Sequence, residues 1–332
     1  MNFVNGLVSI NIVTWNSGKY IRQCLEKCLV QNYNNYEVVV IDNNSSDNTL
    51  QICSKFSDRI KIIKNESNLG YSGGHNVGFI RSSAEYVLVI NPDVYLDENY
   101  VKNIIDFLDK NKEYGGAIGK IFQYIPGNNQ EDGNLYFDTT GLKILRSRQF
   151  TARNFGISSN KVNTKTGECF GVDGMAAIYR RAMLEEIKVN NEYFDEDFFA
   201  YCEDQDLSWR ARKSGWKFAF VNNAIAFHVR TWKPKSLKYR REIKSEIKRM
   251  ALRNHYLMIL KNDEIIPFLI HFPYIFFRFL KIIFYSVLFE QKTLLAFYDL
   301  LKLFKKGIQK RKIIKDNVKV TLSEILDWYR LY

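Results

Sequence analysis

The chain has 332 residues, which is long enough to bury a substantial core and predicts one large domain with an appended region. Its net charge of +12 is uneven: residues 230–332 hold 23 Lys/Arg against 9 Asp/Glu, and the rest holds 25 against 27. The basic C-terminal region predicts an anionic partner, and without a recognisable nucleic-acid module we expect a membrane surface and no nucleic acid. Five cysteines without a CxxC pair, and no signal-peptide pattern, predict a reduced cytoplasmic protein.

Apolar segments alternate with helical patterns through the first 90 residues. We predict strands at 7–13, 36–41, 60–63 and 86–90, and helices at 17–31, from 49 and from 74. Because these strands are apolar throughout, they indicate an α/β fold with a parallel sheet covered on both faces.

Polar residues stand where these strands end, at Thr14, Asn16, Asp42 and Asp93. In open α/β sheets, ligands bind beyond the carboxyl ends of the strands, so these residues are candidates for a binding site. Asn and Asp also favour turns, which is the alternative explanation.

The stretch 127–167 is rich in Gly, Asn, Thr and Ser, and a long irregular segment of this kind is typical of a lid or substrate loop. Regular structure is predicted again at 174–181, 217–221 and 226–228. Between them, residues 195–206 hold six carboxylates among aromatic residues. Carboxylates against aromatic walls are expected to have perturbed pKa values, as acid/base sites do; an acidic surface helix is the alternative.

Beyond Lys233 the pattern is basic and helical, and we treat it as a second unit. The apolar stretch 265–289 is interrupted by two prolines, a histidine and two basic residues. It is therefore marginal as a spanning helix, and its basic, aromatic character favours a helix lying in the membrane interface. A buried helical subdomain and a true span are the alternatives.

Five motifs in order resemble family 2 glycosyltransferases. They are Val13-Thr14-Trp15-Asn16, Val40-Ile41-Asp42-Asn43-Asn44-Ser45-Ser46-Asp47, the Asn68–Gly78 loop, Asn91-Pro92-Asp93-Val94 and Glu203-Asp204-Gln205-Asp206-Leu207. The resemblance covers roughly residues 7–230 and, within the family, is strongest to rhamnosyltransferase-type enzymes of bacterial surface polysaccharide synthesis. It implies a GT-A fold with a mostly parallel central sheet at 1–232, followed by the helical, membrane-associating region 233–332.

The resemblance also implies a metal site. Asp93 matches the family's DxD motif, in which Asn91 replaces the first Asp, so the site has one carboxylate instead of two. A divalent cation, Mn²⁺ or Mg²⁺, would neutralise the charge of the leaving diphosphate. His228 resembles a histidine that completes the metal site in several relatives, and core packing is its alternative role.

The remaining site residues follow from the same match. Asp42 corresponds to the carboxylate that holds the donor's nucleoside, flanked by Thr14 and Asn16, and Asn68, Gly70, Asn76 and Asn91 are further donor contacts. Asp204 matches the family's catalytic base. Glu203 and Trp209 lie on the acceptor side, where Trp209 either walls the acceptor sugar or packs in the core.

These residues predict an inverting glycosyltransferase that acts on a lipid-linked or glycan acceptor at the inner face of the cell membrane. The predicted donor is dTDP-rhamnose, with a UDP- or GDP-sugar as the alternative. A catalytically silent nucleotide-sugar-binding or scaffold protein is an alternative of another class.

Overall fold

A computed structural model describes residues 3–124, 135–230 and 242–331. Twelve strands are described: β1 Val4–Thr14, β2 Tyr36–Asp42, β3 Lys61–Lys64, β4 Ala84–Ile90, β5 Val94–Leu96, β6 Tyr114–Tyr124, β7 Phe137–Thr139, β8 Leu142–Ile144, β9 Phe150–Ala152, β10 Gly167–Cys169, β11 Ala176–Arg180 and β12 Lys217–Val229. The described helices are α1 Ile21–Cys28, α2 Thr49–Cys53, α3 Gly70–Ile80, α4 Tyr100–Lys110, α5 Arg181–Ile187, α6 Glu203–Lys213, α7 Ser245–Asn262, α8 Ile265–Phe289, α9 Leu295–Asp316 and α10 Leu322–Leu331.

One large sheet carries the first part of the chain. Its strand order is β10-β12-β6-β11-β4-β1-β2-β3. Strands β4, β1, β2 and β3 are parallel, as are β6 and β12, while β11 runs antiparallel between β4 and β6. The carboxyl ends of β1, β2 and β4 therefore share one edge, as the sequence predicted.

The predicted elements are present, with shifted limits. Helix α1 begins at Ile21, four positions after the expected Ser17, and α3 begins at Gly70 where 74 was expected. The two predicted strands near 217–221 and 226–228 are a single strand, β12, whose pairing with β6 shifts register between Val221 and Ile225. An irregularity inside one strand therefore broke the apolar pattern in two.

The predicted irregular segment 127–167 is only partly described. Residues 135–167 contain the short strands β7, β8 and β9, and strands β8 and β9 form a hairpin. This hairpin belongs to a second hydrophobic core, described below. The start of the segment lies outside the described residues, so its role as a lid or substrate loop stays a prediction.

The C-terminal helices share a core with the first part of the chain. This second core joins Trp209 of α6 and Phe150 of β9 to Leu257 and Met258 of α7 and to Trp328 of α10. It is separate from the main core that covers the sheet. Residues 242–331 therefore pack directly against the part of the chain that carries the sheet.

Helix α8 is apolar and yet largely exposed to solvent. Its most apolar 18-residue window has a mean hydropathy of 1.6, yet only 11% of that window is buried. It is the one helix in the described ranges long and apolar enough to cross a membrane. Phe277 is 69% exposed and Leu269 63% exposed. The hypothesis that 265–289 is a plain buried helix is therefore wrong.

Candidate functional site

Asp42 lies at the end of β2 beside the end of β1. Its carboxylate accepts hydrogen bonds from Thr14 Oγ1 (3.0 Å), Ser45 Oγ (2.6 Å) and the Ser45 backbone N–H (3.0 Å). Thr14 and Asp42 are both fully buried. The pair thus ties together the loops that follow β1 and β2. Asp42 is enclosed at the edge where the carboxyl ends of β1, β2 and β4 meet, which we call the strand-end edge.

Asn16 continues this arrangement. It adopts a left-handed backbone (φ 52°), which Asn tolerates better than most residues, and its Oδ1 accepts from the backbone N–H groups of Ser46 (2.8 Å) and Asp47 (3.3 Å). Trp15, next to it, is 56% exposed. The conformation of the polar loop 42–47 is therefore fixed by hydrogen bonds to Asn16, and the exposed ring of Trp15 lies beside it.

The predicted glycine-rich loop forms the start of α3. Asn68 Oδ1 accepts from the Gly70 N–H at 2.9 Å, and Asn43 donates to the Gly70 carbonyl at 2.8 Å. Gly70 has φ +70°, and a Cβ there would lie 2.3 Å from the Phe199 carbonyl oxygen. Only glycine fits, because the backbone of residues 195–206, which we call the acidic run, passes directly over it.

Asn76 is placed differently from the prediction. It is buried, its amide donates to the Phe194 carbonyl (2.8 Å) and to Glu196 Oε1 (2.9 Å), and its oxygen accepts from the Phe194 N–H (2.9 Å). Every hydrogen-bonding group of this side chain therefore positions the acidic run. Its contact with a donor stays a prediction that this geometry does not favour.

Asp93 and His228 lie side by side. Strands β5 and β12 pair, and the Nε2 of His228 is 3.4 Å from Asp93 Oδ1. The other ring nitrogen, Nδ1, lies 2.6 Å from Asp138 Oδ2, and Arg230 also donates to Asp138. Burial alone would raise the pKa of the Asp138 carboxyl, but His228 and Arg230 hold that pKa below its usual range.

Asp93 and His228 are candidate ligands for a divalent cation. Burial would lower the pKa of His228, but its hydrogen bonds to Asp138 and Asp93 raise it. A histidine fixed by a carboxylate on one nitrogen and offering the other is a common metal ligand. Within the described ranges no group of three or more His, Cys, Asp or Glu residues is arranged around one metal position. Asp93 and His228 would supply two ligands, and substrate phosphates and water commonly supply the rest.

The segment Asp173–Met175 connects this pair to Asp204. The Met175 carbonyl accepts from the Asn91 N–H (3.0 Å), and the Gly174 N–H donates to Asp204 Oδ2 (3.0 Å). Thr139, next to Asp138, donates to Asp173 (2.5 Å). Burial and the nearby Asp204 raise the pKa of Asp173 to about 7. Asp138 and Asp173 therefore support the site from below, through His228 and through the segment that contacts Asp204.

Asp204 lies at the start of α6, partly exposed, and accepts from the N–H groups of Gly174 and Gln205 (3.0 and 2.7 Å). Burial raises the pKa of its carboxyl, opposed by those two N–H groups. This direction agrees with the expected raised proton affinity, and burial is its largest cause. Glu203 is 6% exposed, and burial together with Asp204 raises its pKa well above the usual value.

The turn before Asp204 is strained. Phe199, Tyr201 and Cys202 are non-glycine residues with φ of 63°, 70° and 71°. Each such residue costs about 1–3 kcal/mol, so surrounding structure must hold it. Asn254, fully buried on α7, donates to the carbonyls of Phe198 (2.9 Å), Ala200 (2.8 Å) and Tyr201 (2.8 Å). A residue about 50 positions downstream thus shapes the turn, and no local pattern marks it.

Lysines from the C-terminal helices neutralise the acidic run. Lys261 pairs with Asp195 and with Asp206 (2.9 Å), and Lys310 pairs with Asp195 (2.5 Å) and Asp197 (2.8 Å). Asp206 is fully buried and also binds Arg210 at 2.9 Å, so its role is structural. The acidic run is therefore neither a surface helix nor an isolated cluster of negative charge.

Trp209 is a core residue. It is 1% exposed and lies 5.9 Å from the Phe150 ring, in the second core under the C-terminal helices. The prediction that it walls the acceptor sugar is wrong, because α6 turns this face toward α7 and α10. The alternative, core packing, is the one that the structure supports.

Comparison with known proteins places this chain in a family. The sequence matches the model for glycosyl transferase family 2 over residues 9–188. It is 30% identical over 138 residues to glycosyltransferase GlyG of Streptococcus pneumoniae serotype 4, covering 41% of this chain and 44% of GlyG. It is 33% identical over 226 residues to the poly(ribitol-phosphate) β-N-acetylglucosaminyltransferase TarS of Staphylococcus aureus Mu50, covering 67% of this chain and 35% of TarS. The chain thus spans less than half the length of either relative.

Solved structures support the fold. TarS 1–349 in complex with UDP superposes with a TM-score of 0.52 at 20% identity, covering 97% of this chain and 89% of that one. GalNAc-T7 with UDP, GalNAc and Mn²⁺ gives a TM-score of 0.57 at 14% identity, covering 76% of this chain and 47% of that one. The predicted fold, a GT-A domain with a mostly parallel sheet followed by a helical region, is confirmed.

Proposed function

Because the chain belongs to glycosyl transferase family 2, we propose that it transfers a sugar from a nucleoside diphosphate sugar to a glycan or lipid-linked acceptor, with inversion. The observation that carries this proposal is Asp204, a partly exposed carboxylate with a raised pKa, connected through Gly174 and Met175 to the Asn91–Asp93 turn. A base beside a leaving-group site is what a single displacement requires.

Asp204 acts as the base in this proposal. The Gly174 and Gln205 N–H groups hold its two oxygens and oppose protonation, while burial favours it. A base whose pKa lies above that of a free carboxyl accepts a proton more readily, yet it must remain ionised at neutral pH. Asp204 would take the proton of the acceptor hydroxyl as that oxygen attacks the anomeric carbon.

The strand-end edge would bind the donor. Asp42, Thr14 and Asn16 organise the loop proposed to hold the nucleoside. Asp93 and His228 would hold Mn²⁺ or Mg²⁺, which supplies positive charge to the diphosphate when bound. His228 is fixed by Asp138, so its Nε2 is directed at Asp93 before any donor arrives.

We place UDP-sugars ahead of dTDP-rhamnose as donors. The solved structures of TarS and GalNAc-T7 contain UDP, and TarS is by name an N-acetylglucosaminyltransferase. Nothing in the comparisons points specifically to rhamnose, so dTDP-rhamnose stays the second candidate. The acceptor is proposed to be a surface glycan or its lipid-linked precursor, since TarS is by name a poly(ribitol-phosphate) transferase.

Thermal unfolding with UDP, dTDP and GDP, each with and without Mn²⁺, tests the donor site. A nucleotide at about one hundred times its dissociation constant should stabilise the protein by about 2.7 kcal/mol. We expect the largest Mn²⁺-dependent shift with UDP, and its loss in Asp93→Asn but not in Asp58→Asn, which alters an exposed carboxylate outside the site. No shift with any nucleotide would reject the donor site, and a shift without turnover would favour the catalytically silent alternative.

The C-terminal helices would hold the enzyme at the inner face of the membrane. Helices α8 and α9 expose large apolar side chains, including Phe277 (69%) and Leu301 (71%), within the basic region. Apolar side chains beside basic residues bind anionic bilayers. Flotation with anionic vesicles should recover the wild type but little of Phe277→Glu. The control Ile80→Glu, at an exposed apolar position on α3, should float like the wild type, and equal flotation of all three would reject this docking.

A further inference from the structure

A cavity of about 780 Å³ lies between α7, α8 and the turn that precedes Asp204. One wall is formed by Tyr201, Cys202 and Gln205 of that turn, and another by Ile282 and Phe284 of α8. Cavities of this size commonly bind small molecules. Because Cys202 and Gln205 bracket Glu203 and Asp204 in sequence, a ligand in the cavity would contact the segment that carries the base.

The lining is apolar with a positive end. Arg278 of α8 donates to Gln149 Oε1 (2.6 Å), and its buried Nε has no hydrogen-bond partner. Within the described ranges, neither Arg278 nor the exposed Lys281 forms an ion pair. The third basic residue, Lys248, is paired with Glu290 at 3.1 Å.

Among the described residues that line the cavity there is no carboxylate to offset this charge. Burial, followed by the charge of Arg278, lowers the pKa of His255 to about 3, so that its ring is uncharged at neutral pH. Burial also lowers the pKa of Arg278 relative to a free guanidinium. Arg278 is half-buried, and a partly desolvated charge without a counter-ion carries a cost that an anionic ligand would reduce.

We propose that this cavity binds the phosphate-bearing end of an amphiphilic acceptor, with Arg278 and Lys281 on the phosphate and the hydrocarbon chain along α8. The inference rests on the proposed glycosyltransferase function and names the acceptor class for the same site. The apolar wall fits the part of the hydrocarbon chain nearest the phosphate. The rest of the hydrocarbon would follow the exposed face of α8 toward the membrane. The group attached to the phosphate would then lie next to the Tyr201–Gln205 turn, the segment that carries Asp204.

Dodecyl phosphate is the probe, titrated calorimetrically below its micelle concentration into the full-length protein. We expect one site, weakened at least about tenfold in Arg278→Gln, since hydrogen bonds to charged groups contribute strongly to binding. The control Lys305→Gln removes the same charge from an exposed position on α9 outside the cavity and should change affinity less than about twofold.

Two further ligands separate the sources of the chemistry. Inorganic phosphate and the neutral dodecyl maltoside should each bind at least about tenfold more weakly than dodecyl phosphate. Equal binding of inorganic phosphate would show a free-anion site, equal binding of the maltoside would show a detergent-like apolar groove, and an unchanged Arg278→Gln would show that the cavity is not used. Each result would overturn the proposal.

A second variant covers the case in which Arg278→Gln fails to fold. Ala251→Phe fills the cavity with its charges intact and should abolish dodecyl phosphate binding, and wild-type affinity there would also overturn the proposal. The UDP-dependent thermal shift is measured on every variant. If UDP produces no thermal shift in the wild type, the proposed function is rejected. If the UDP shift is present but dodecyl phosphate does not bind, only the acceptor cavity is rejected.

Discussion

The strand-end edge and the turn before Asp204 hold their carboxylates with different parts of the chain. Asp42 is held by Thr14 and Ser45, all within the first 45 residues and at the ends of adjacent parallel strands. The turn before Asp204 is held by Asn254, and the adjoining acidic run by Lys261 and Lys310, which all come from the C-terminal helices. Asp42, proposed to hold the donor, is thus held locally at the sheet, whereas the turn before Asp204, proposed to face the acceptor, is held by the C-terminal helices.

This difference has a consequence for how activity is coupled to the C-terminal region. If α7 and α9 hold the base-bearing turn while α8 meets the membrane, detachment of these helices would disturb the acceptor side first. Asp42 would keep its hydrogen bonds, because none of those described for it involves a residue beyond Ser45. Variants that separate the two sides test this.

Asp204→Asn has the largest expected effect. Removal of the base should lower kcat by about 10²–10⁴-fold while the nucleotide-dependent thermal shift is retained, because the base contacts only the acceptor. Initial rates with saturating donor measure the first quantity, and thermal unfolding with UDP measures the second.

The matched control is Asp106→Asn, which removes a half-exposed carboxylate on α4. It should leave both quantities unchanged. Transfer at the native rate by Asp204→Asn would show that Asp204 is not the base.

Lys261→Met should break the acceptor side without touching the donor side. Lys261 is fully buried between Asp195 and Asp206, and removal of one partner from a buried ion pair typically costs about 3–5 kcal/mol. Denaturant unfolding measures this loss, with the exposed Lys305→Met as the control. At temperatures where the variant is folded, its affinity for UDP should match the wild type. A parallel loss of UDP affinity would mean that the two sides are not separate.

Asn254→Ala should have a smaller effect on stability and a clear effect on rate. It removes the donor to three carbonyls of a strained turn, at a cost of about 1–3 kcal/mol for groups left unsatisfied. We expect a lower kcat with an unchanged donor KM, because the turn positions Asp204 and does not contact the nucleotide. Asn32→Ala, at an exposed hydrogen-bonded Asn, is the control. An unchanged kcat would show that the turn holds its shape without Asn254.

The same contrast explains what the sequence could predict. Asp42 and Asp93 were identifiable because each directly follows an apolar segment whose strand character is local, and parallel strands bring such ends together. Asn254 and Lys261 were not, since an Asn or Lys inside a basic helix carries no mark of what it will face. Trp209 was ambiguous for a related reason: an aromatic residue on α6 can face a ligand or a core, and only the position of α7 and α10 decides.

The pH dependence of stability gives the smallest of these effects and tests the pairing of Asp195 with Lys261 and Lys310. Burial would raise the pKa of Asp195, but the ammonium groups of Lys261 and Lys310 hold it below its usual range. A depressed carboxyl stabilises the fold above its unfolded pKa of about 3.9, and that contribution is lost as the pH falls toward the folded value. The difference in unfolding free energy between the wild type and Asp195→Asn should therefore narrow by about 1 kcal/mol from pH 5 to pH 3. A constant difference would mean that the lysines do not hold Asp195 ionised, and the acceptor side would then need another anchor.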